Sequence, residues 1–231
     1  MSRDDCALNV RGDAAVVLDG SADPTELGGK GAALDRLVGW GVPVPASAVV
    51  TASTYRRFAT APPIVALIQR IGAGDEVDAD EVDAVFDGVA LDEAAEHTIR
   101  EVANGIAVGS MLAVRSSATV EDLDRSSFAG QYRSLLGVDP TDATQLESAI
   151  KQVFASLWHP APCAYRRAFG IADEDVAMAV VLMQMVPAER AGVVFTVDPG
   201  GDSTLARIEQ VAGLGESLVS GQETPEAFLL A

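Results

Sequence analysis

The sequence predicts an α+β fold, on three observations. Apolar runs of strand length recur at residues 14–18 (AAVVL), 46–51 (ASAVVT), 111–114 and 176–186. Between them lie stretches whose apolar residues return every three or four positions, the spacing of one helix face. One block, residues 64–105, is helical in pattern throughout and reads as a small insertion between the first strands and Met111.

Taken in order, residues 14–18 form the first strand, and a turn-rich stretch follows at 19–24. Leu27, Gly31, Leu34 and Val38 then share a helical face, so a helix is expected from about 28 to 38, stopped by Gly39, Gly41, Pro43 and Pro45. Residues 46–51 are a strand, and 53–59 a short helix anchored by Tyr55 and Phe58. The insertion repeats apolar positions at Ile64, Leu67 and Ile71, then Val82 and Phe86, then Ile99 and Val102. A strand at 111–114 delivers Arg115 at its end, and 132–138 is another strand. Thr144 with Glu147 has the spacing of a capping box, and Leu146, Ile150, Val153 and Leu157 continue that helix. Residues 165–169 are a shorter helix ended by Gly170. The run 176–186 (VAMAVVLMQMV) is apolar nearly throughout, as suits a strand covered on both faces. Strands follow at 192–197 and 205–211, with Arg207 and Glu209 facing the same way.

The chain has 231 residues and a formal charge of −18, which argues against a nucleic-acid partner, since phosphate backbones require a basic face. The absence of a long apolar run or an apolar leader leads us to expect a cytoplasmic protein with no membrane partner. Cys6 and Cys163 are far apart and lack metal-ligand spacing, so both are expected to be ordinary thiols. Eleven of the thirty-four acids lie between Asp75 and Glu101, opposed by Arg100, and read as a solvated helical face. A docking surface for a basic partner is the lesser alternative.

Two residues stand out chemically. The chain has two lysines, Lys30 and Lys151, and Lys30 sits among glycines at a helix start (LGGKGAAL). Glycines there allow a ligand or backbone to come close, and a cation in a first turn opposes the helix dipole unless an anion holds it. The spacing is not that of a Walker P-loop. Arg115 opens the segment RSSATVEDLDRSSFAGQ, whose small and hydroxylated residues read as a loop. A guanidinium beside such a loop suits a multi-oxygen anion, because its planar fork donates to several oxygens at once.

Five segments appear in order: LGGKGAAL, GVPVPASAVVTASTYRRF, AVRSSATVEDLDRSSFAGQY, MQMVPAERAGVVFTVDP and GLGESLVSGQETPEAF. Together they resemble the N-terminal nucleotide-binding region of the phosphoenolpyruvate synthase, pyruvate phosphate dikinase and rifampicin phosphotransferase family. The resemblance covers the chain from about residue 16 onward. It implies an ATP-grasp-like fold with mixed β-sheets flanked by helices. An N-terminal subdomain would span 1–110, including the insertion at about 62–105, and a truncated nucleotide-binding subdomain 111–231. It also implies that Lys30 and Arg115 hold the phosphates of ATP as the catalytic pair, with Gly130 and Ser134 in the loop over them. Met183, Gln184 and Met185 would meet the adenine, chiefly through backbone groups. Glu209 and Glu216 would face the nucleotide and its Mg²⁺. By the same resemblance the chain is part of a dikinase-type, ATP-dependent phosphotransferase, incomplete by itself, that passes a phosphoryl group to a histidine on another domain or subunit. A truncated, non-catalytic nucleotide-binding or regulatory module is the alternative. His97 and His159 lack the setting of a carrier histidine and are expected to be surface or cap residues.

Overall fold

The computed structural model of the protein describes residues 13–119, 132–199 and 204–230. It divides into two compact units at Met185. In the first, β1 (Ala15–Val17), β2 (Ser47–Val50), β3 (Leu112–Ala118), β4 (Ser134–Val138) and β5 (Met178–Gln184) form one sheet in the order β1-β2-β5-β3-β4. Every pairing in it is antiparallel. The α+β class holds. The sequence reading divides the chain at residue 110, whereas β3 is registered between β5 and β4 of the sheet that also contains β1 and β2. A cut at 110 would therefore run through that sheet.

Alternation along the strands gives the sheet two unlike faces. One face carries Ala48, Val50, Leu112, Val114, Val180 and Leu182 into the main core. It is covered by α2 (Ala52–Phe58), the insertion helices α3 (Pro62–Ala73), α4 (Ala79–Asp87) and α5 (Glu93–Ile106), and α6 (Ala143–Ser156) and α7 (Pro160–Phe169). The other face carries Val49, Ala179 and Val181 against α1 (Pro24–Gly39), which contributes Leu27.

The acidity of the insertion has a local cause. Asp78 and Asp92 are the N-caps of α4 and α5 and accept from the amides of Glu81 and Ala95 at 2.8 Å. Asp80, Glu81, Glu93 and Glu96 occupy first turns, where the helix dipole favours a carboxylate. The capping box expected at Thr144 is not used. Asp142 caps α6 instead, and Glu147 pairs with Lys151 at 2.8 Å. The second unit contains β6 (Arg190–Phe195), β7 (Ala206–Ala212) and β8 (Glu226–Leu230) in one antiparallel sheet, with the short α8 (Glu216–Val219) between β7 and β8. No helix among the described residues is long and apolar enough to cross a membrane.

Candidate functional site

The Lys30 turn is built by Gly28. Asp23 caps α1, yet the helix is interrupted at Gly28, whose φ of 64° and ψ of 177° suit glycine alone among common residues. The interruption brings the backbone hard against β3. A Cβ at Gly28 would lie 1.9 Å from the Ser117 carbonyl oxygen. Ser117, fully buried, donates through Oγ to the Leu27 carbonyl at 2.7 Å and accepts from the Gly31 amide at 2.9 Å. Lys30, half-buried, is therefore one residue from a hydrogen bond to β3.

Arg115 lies two residues before Ser117 on the same strand, so both side chains leave the sheet on the α1 face, roughly 7 Å apart along the strand. The strand does not end at Arg115. It runs on to Ala118, because Ser116 and Ser117 pair with Val180 and Ala179 of β5. These serines are buried strand residues rather than open loop donors. Arg115 itself is exposed. Its cross-strand neighbours are Val181 and Ser134, and Val181 is in turn opposite Val49. Val49, Val181, Arg115 and the exposed Ser134 form a row that passes from apolar under α1 to polar at the sheet edge.

At the other end of β5, Met183 packs with the α1-side cluster. The amide of Gln184 donates to Ala46 O and that of Met185 to Met111 O, each at 2.9 Å, so neither amide is open to a base. The Met185 carbonyl accepts from Ser110 Oγ at 3.0 Å. The first unit thus gathers Lys30, Arg115, Ser134 and Met183 on one side of its sheet. Gly130 lies outside the described residues.

Glu209 and Glu216 belong to the second unit. Glu209 accepts from Arg207 Nε at 2.7 Å, so the pair does face the same way, and Arg207 also approaches the buried Asp198 at 3.8 Å. Glu216 is exposed at the first position of α8. Among the described residues no group of three His, Cys, Asp or Glu is placed to hold a metal. Gly192 in β6 is required where it stands, since a Cβ there would lie 2.4 Å from Glu209 O.

Sequence reasoning missed the residues that hold the Lys30 turn. Asp35, 5% exposed, accepts from the amides of Gly20 and Ala22 at 2.8 and 3.1 Å, which folds the loop before α1 onto the helix. Glu26 accepts from the amide and hydroxyl of Ser53, each at 2.8 Å, and so ties α1 to α2. A cleft of about 470 Å³ opens beside this end of α1. Its walls carry Asp13, Asp19, Asp23 and Glu26 against Arg57, a charge balance that repels a triphosphate. Neither Lys30 nor Arg115 lines this cleft. Cys163 is buried, and burial raises its thiol pKa, as befits an inert packing residue. His97 is an exposed partner of Glu101, and His159 is the N-cap of α7.

In this α+β scaffold a helix turn is seated by glycine on a strand that carries an exposed arginine. Residues 24–231 match the family described as pyruvate phosphate dikinase, AMP/ATP-binding domain, and the chain belongs to that family. It is 35% identical over 222 residues to a probable phosphoenolpyruvate synthase of Methanothermobacter thermautotrophicus, covering 90% of this chain and 32% of the relative. It is 36% identical over 212 residues to a rifampicin phosphotransferase of Streptomyces sviceus, covering 87% of this chain and 24% of that protein. Against the prodigiosin synthesizing transferase PigC of Serratia marcescens it is 38% identical over 213 residues, covering 92% and 23%. The chain spans about a third or less of the length of these relatives.

Proposed function

We propose that the chain binds ATP as the nucleotide-binding part of a phosphoenolpyruvate synthase-like phosphotransferase, in an ATP-grasp manner. The observation that carries the reading is the seating of the Lys30 turn on β3 at Ser117, on the sheet face from which Arg115 emerges. Lys30 supplies a point charge and Arg115 a planar fork, two kinds of cation that divide a polyphosphate between them. Ser134 adds a hydroxyl beside Arg115, and Met183 offers an apolar, polarizable surface to the base. Gly130, outside the described residues, stays in the reading through the family resemblance alone. Phosphoryl transfer depends on such positioning and charge neutralisation more than on covalent work by the protein.

The acceptor in this reading is a histidine on another domain or subunit, to which either a phosphoryl group passes, with ADP as the leaving group, or a pyrophosphoryl group, with AMP as the leaving group. Magnesium arrives with the nucleotide. Glu209 and Glu216 do not fit a resident cation site as they stand, because Glu209 is shared with Arg207 and, among the described residues, no group of three His, Cys, Asp or Glu is placed to hold a metal.

Calorimetric titration with ATP tests the reading. Wild type should bind, and Lys30→Ala and Arg115→Ala should each weaken binding by about tenfold or more, as loss of a charged hydrogen-bond partner does. Unchanged affinity in both variants, or no binding by wild type, rejects it. Binding without transfer to an added carrier-histidine domain identifies the chain as a non-catalytic nucleotide module instead.

A further inference from the structure

The helical insertion carries none of the residues assigned to the nucleotide, yet one of its carboxylates reaches the strand edge beside Arg115. Asp83, on the face of α4 toward α6, places Oδ2 2.7 Å from Arg133 Nη2 and Oδ1 2.9 Å from His159 Nε2. Arg133 is the residue just before β4, and its backbone is held at both ends. Its amide donates to Ser156 Oγ at 3.3 Å, and its carbonyl accepts from the Ser116 amide at 3.3 Å. Its side chain also approaches Gln152 Oε1 at 3.4 Å. Arg133 therefore sits between Ser134, the cross-strand neighbour of Arg115, and Ser116, the residue after Arg115.

The position matters because β4 is an edge strand, paired on one side only. Its register with β3 shifts between Leu112 and Val114, so the segment opposite Arg115 depends on what fixes its ends. At the far end Val138 is buried. At the near end Tyr132 is buried and the Arg133 backbone is hydrogen-bonded on both sides, and the Arg133 side chain adds a charged tie to Asp83. Burial is partial for all three members, at 23% exposed for Asp83, 37% for Arg133 and 14% for His159, so the pair is worth more as a geometric constraint than as bulk stability. The insertion is separately locked to α6, where Lys151 Nζ donates to Asp87 O at 3.1 Å and Leu91 N to Glu147 at 3.3 Å. α4 is thus a fixed support from which Asp83 can hold Arg133.

We propose that Asp83 is a positioning residue for the nucleotide site, acting through Arg133 to set the Arg115–Ser134 row. The proposal rests on the ATP reading above and goes beyond it by giving the helical insertion a role in phosphate binding. In this role Asp83 affects the phosphate end of the ligand and leaves the base end alone.

The experiment measures Kd for ATP and for adenosine on the full chain, for wild type, Asp83→Ala, Asp83→Glu and Arg115→Ala. Asp83→Ala should raise the Kd for ATP by about three- to tenfold, the range expected of an indirect coupling, and leave adenosine binding unchanged. Asp83→Glu, which can still reach Arg133, should recover most of the loss. Equal weakening of ATP and adenosine would mark Asp83 as a general stabiliser and overturn the proposal. So would unchanged ATP affinity in Asp83→Ala when Arg115→Ala has lost it. If Arg115→Ala also binds ATP normally, the nucleotide reading itself fails and this inference falls with it. Should Asp83→Ala not fold, Asp83→Asn removes the charge at constant shape and takes its place in the same comparison.

Discussion

The two faces of the five-stranded sheet are built by different means. On the face toward α2–α7, cohesion comes from large apolar side chains. Tyr55, Phe58 and Phe154 meet ring to ring at 5.2 and 5.6 Å, and Phe86 joins Phe58 at 6.0 Å. Arg166, without exposed surface, is held there by Asp173 at 2.9 Å and Leu157 O at 2.6 Å, and lies over the Trp158 ring. On the α1 face the buried apolar set is small: Leu18, Leu27, Val49, Ala179 and Val181. Cohesion there comes from close backbone approach, through Gly28 and Gly31, and from one buried hydroxyl, Ser117. The two faces also differ in what they leave open. A face filled with aromatic rings has no room for a ligand, whereas a helix seated by glycine adds little bulk and leaves Arg115 uncovered.

Two substitutions test that division most severely. Phe154→Ala empties a fully buried ring position and should cost about 3–5 kcal/mol of stability, read from the urea midpoint. ATP affinity measured where the variant remains folded should change little, because the ring is on the other face from Arg115. Gly28→Ala combines a left-handed backbone with an overlap against Ser117 that only movement of α1 can relieve. Strain of about 1–2 kcal/mol and overpacking of about 1–3 kcal/mol together predict a loss of about 3 kcal/mol. Here ATP affinity should collapse as well. If Phe154→Ala damages binding more than Gly28→Ala does, the two faces do not divide labour as described.

The sequence disclosed the thick face better than the thin one. Apolar periodicity at Ile64, Leu67 and Ile71, or at Leu146, Ile150 and Val153, reports burial directly, and all six are buried. The run around Val180 and Val181 was legible as a doubly covered strand for the same reason. Lys30 and Arg115 were legible as chemistry because each stands out from its surroundings. What could not be read was how far the strand continues past Arg115, since Ser116 and Ser117 look like loop residues until β5 is laid beside them. The role of Gly28 was hidden for a related reason, for its contact is with a residue 89 positions away in sequence. Asp83 and Arg133 were equally silent, being two ordinary surface-type residues whose meeting is made by the docking of α4 on α6. β8 was missed because its alternation is weak and all five of its residues are exposed.

Two smaller effects sharpen the comparison. Ser117→Ala removes the one hydroxyl that serves both the Gly31 amide and the Leu27 carbonyl. It leaves two buried backbone groups unpaired, at a cost of about 1–3 kcal/mol. The methyl fills the space of the hydroxyl poorly but without clash, so the helix stays in place. ATP affinity should therefore fall less than in Gly28→Ala, and a thermal scan together with a titration will separate the two.

Arg115→Ala should have the least effect on stability. Its side chain is exposed, and surface changes of that kind stay within about 0.5 kcal/mol. Its effect on ATP affinity should nevertheless match or exceed that of every other substitution that leaves the chain folded. That opposition is what a binding face made from a thinly covered sheet requires. On the proposed reading the residue that contributes least to folding holds the ligand, and the buried Ser117 two positions along pins the turn that carries Lys30. An Arg115→Ala chain that melts early and binds ATP normally would reverse both halves of the argument, making Arg115 a structural residue and the α1 face an ordinary helix packing.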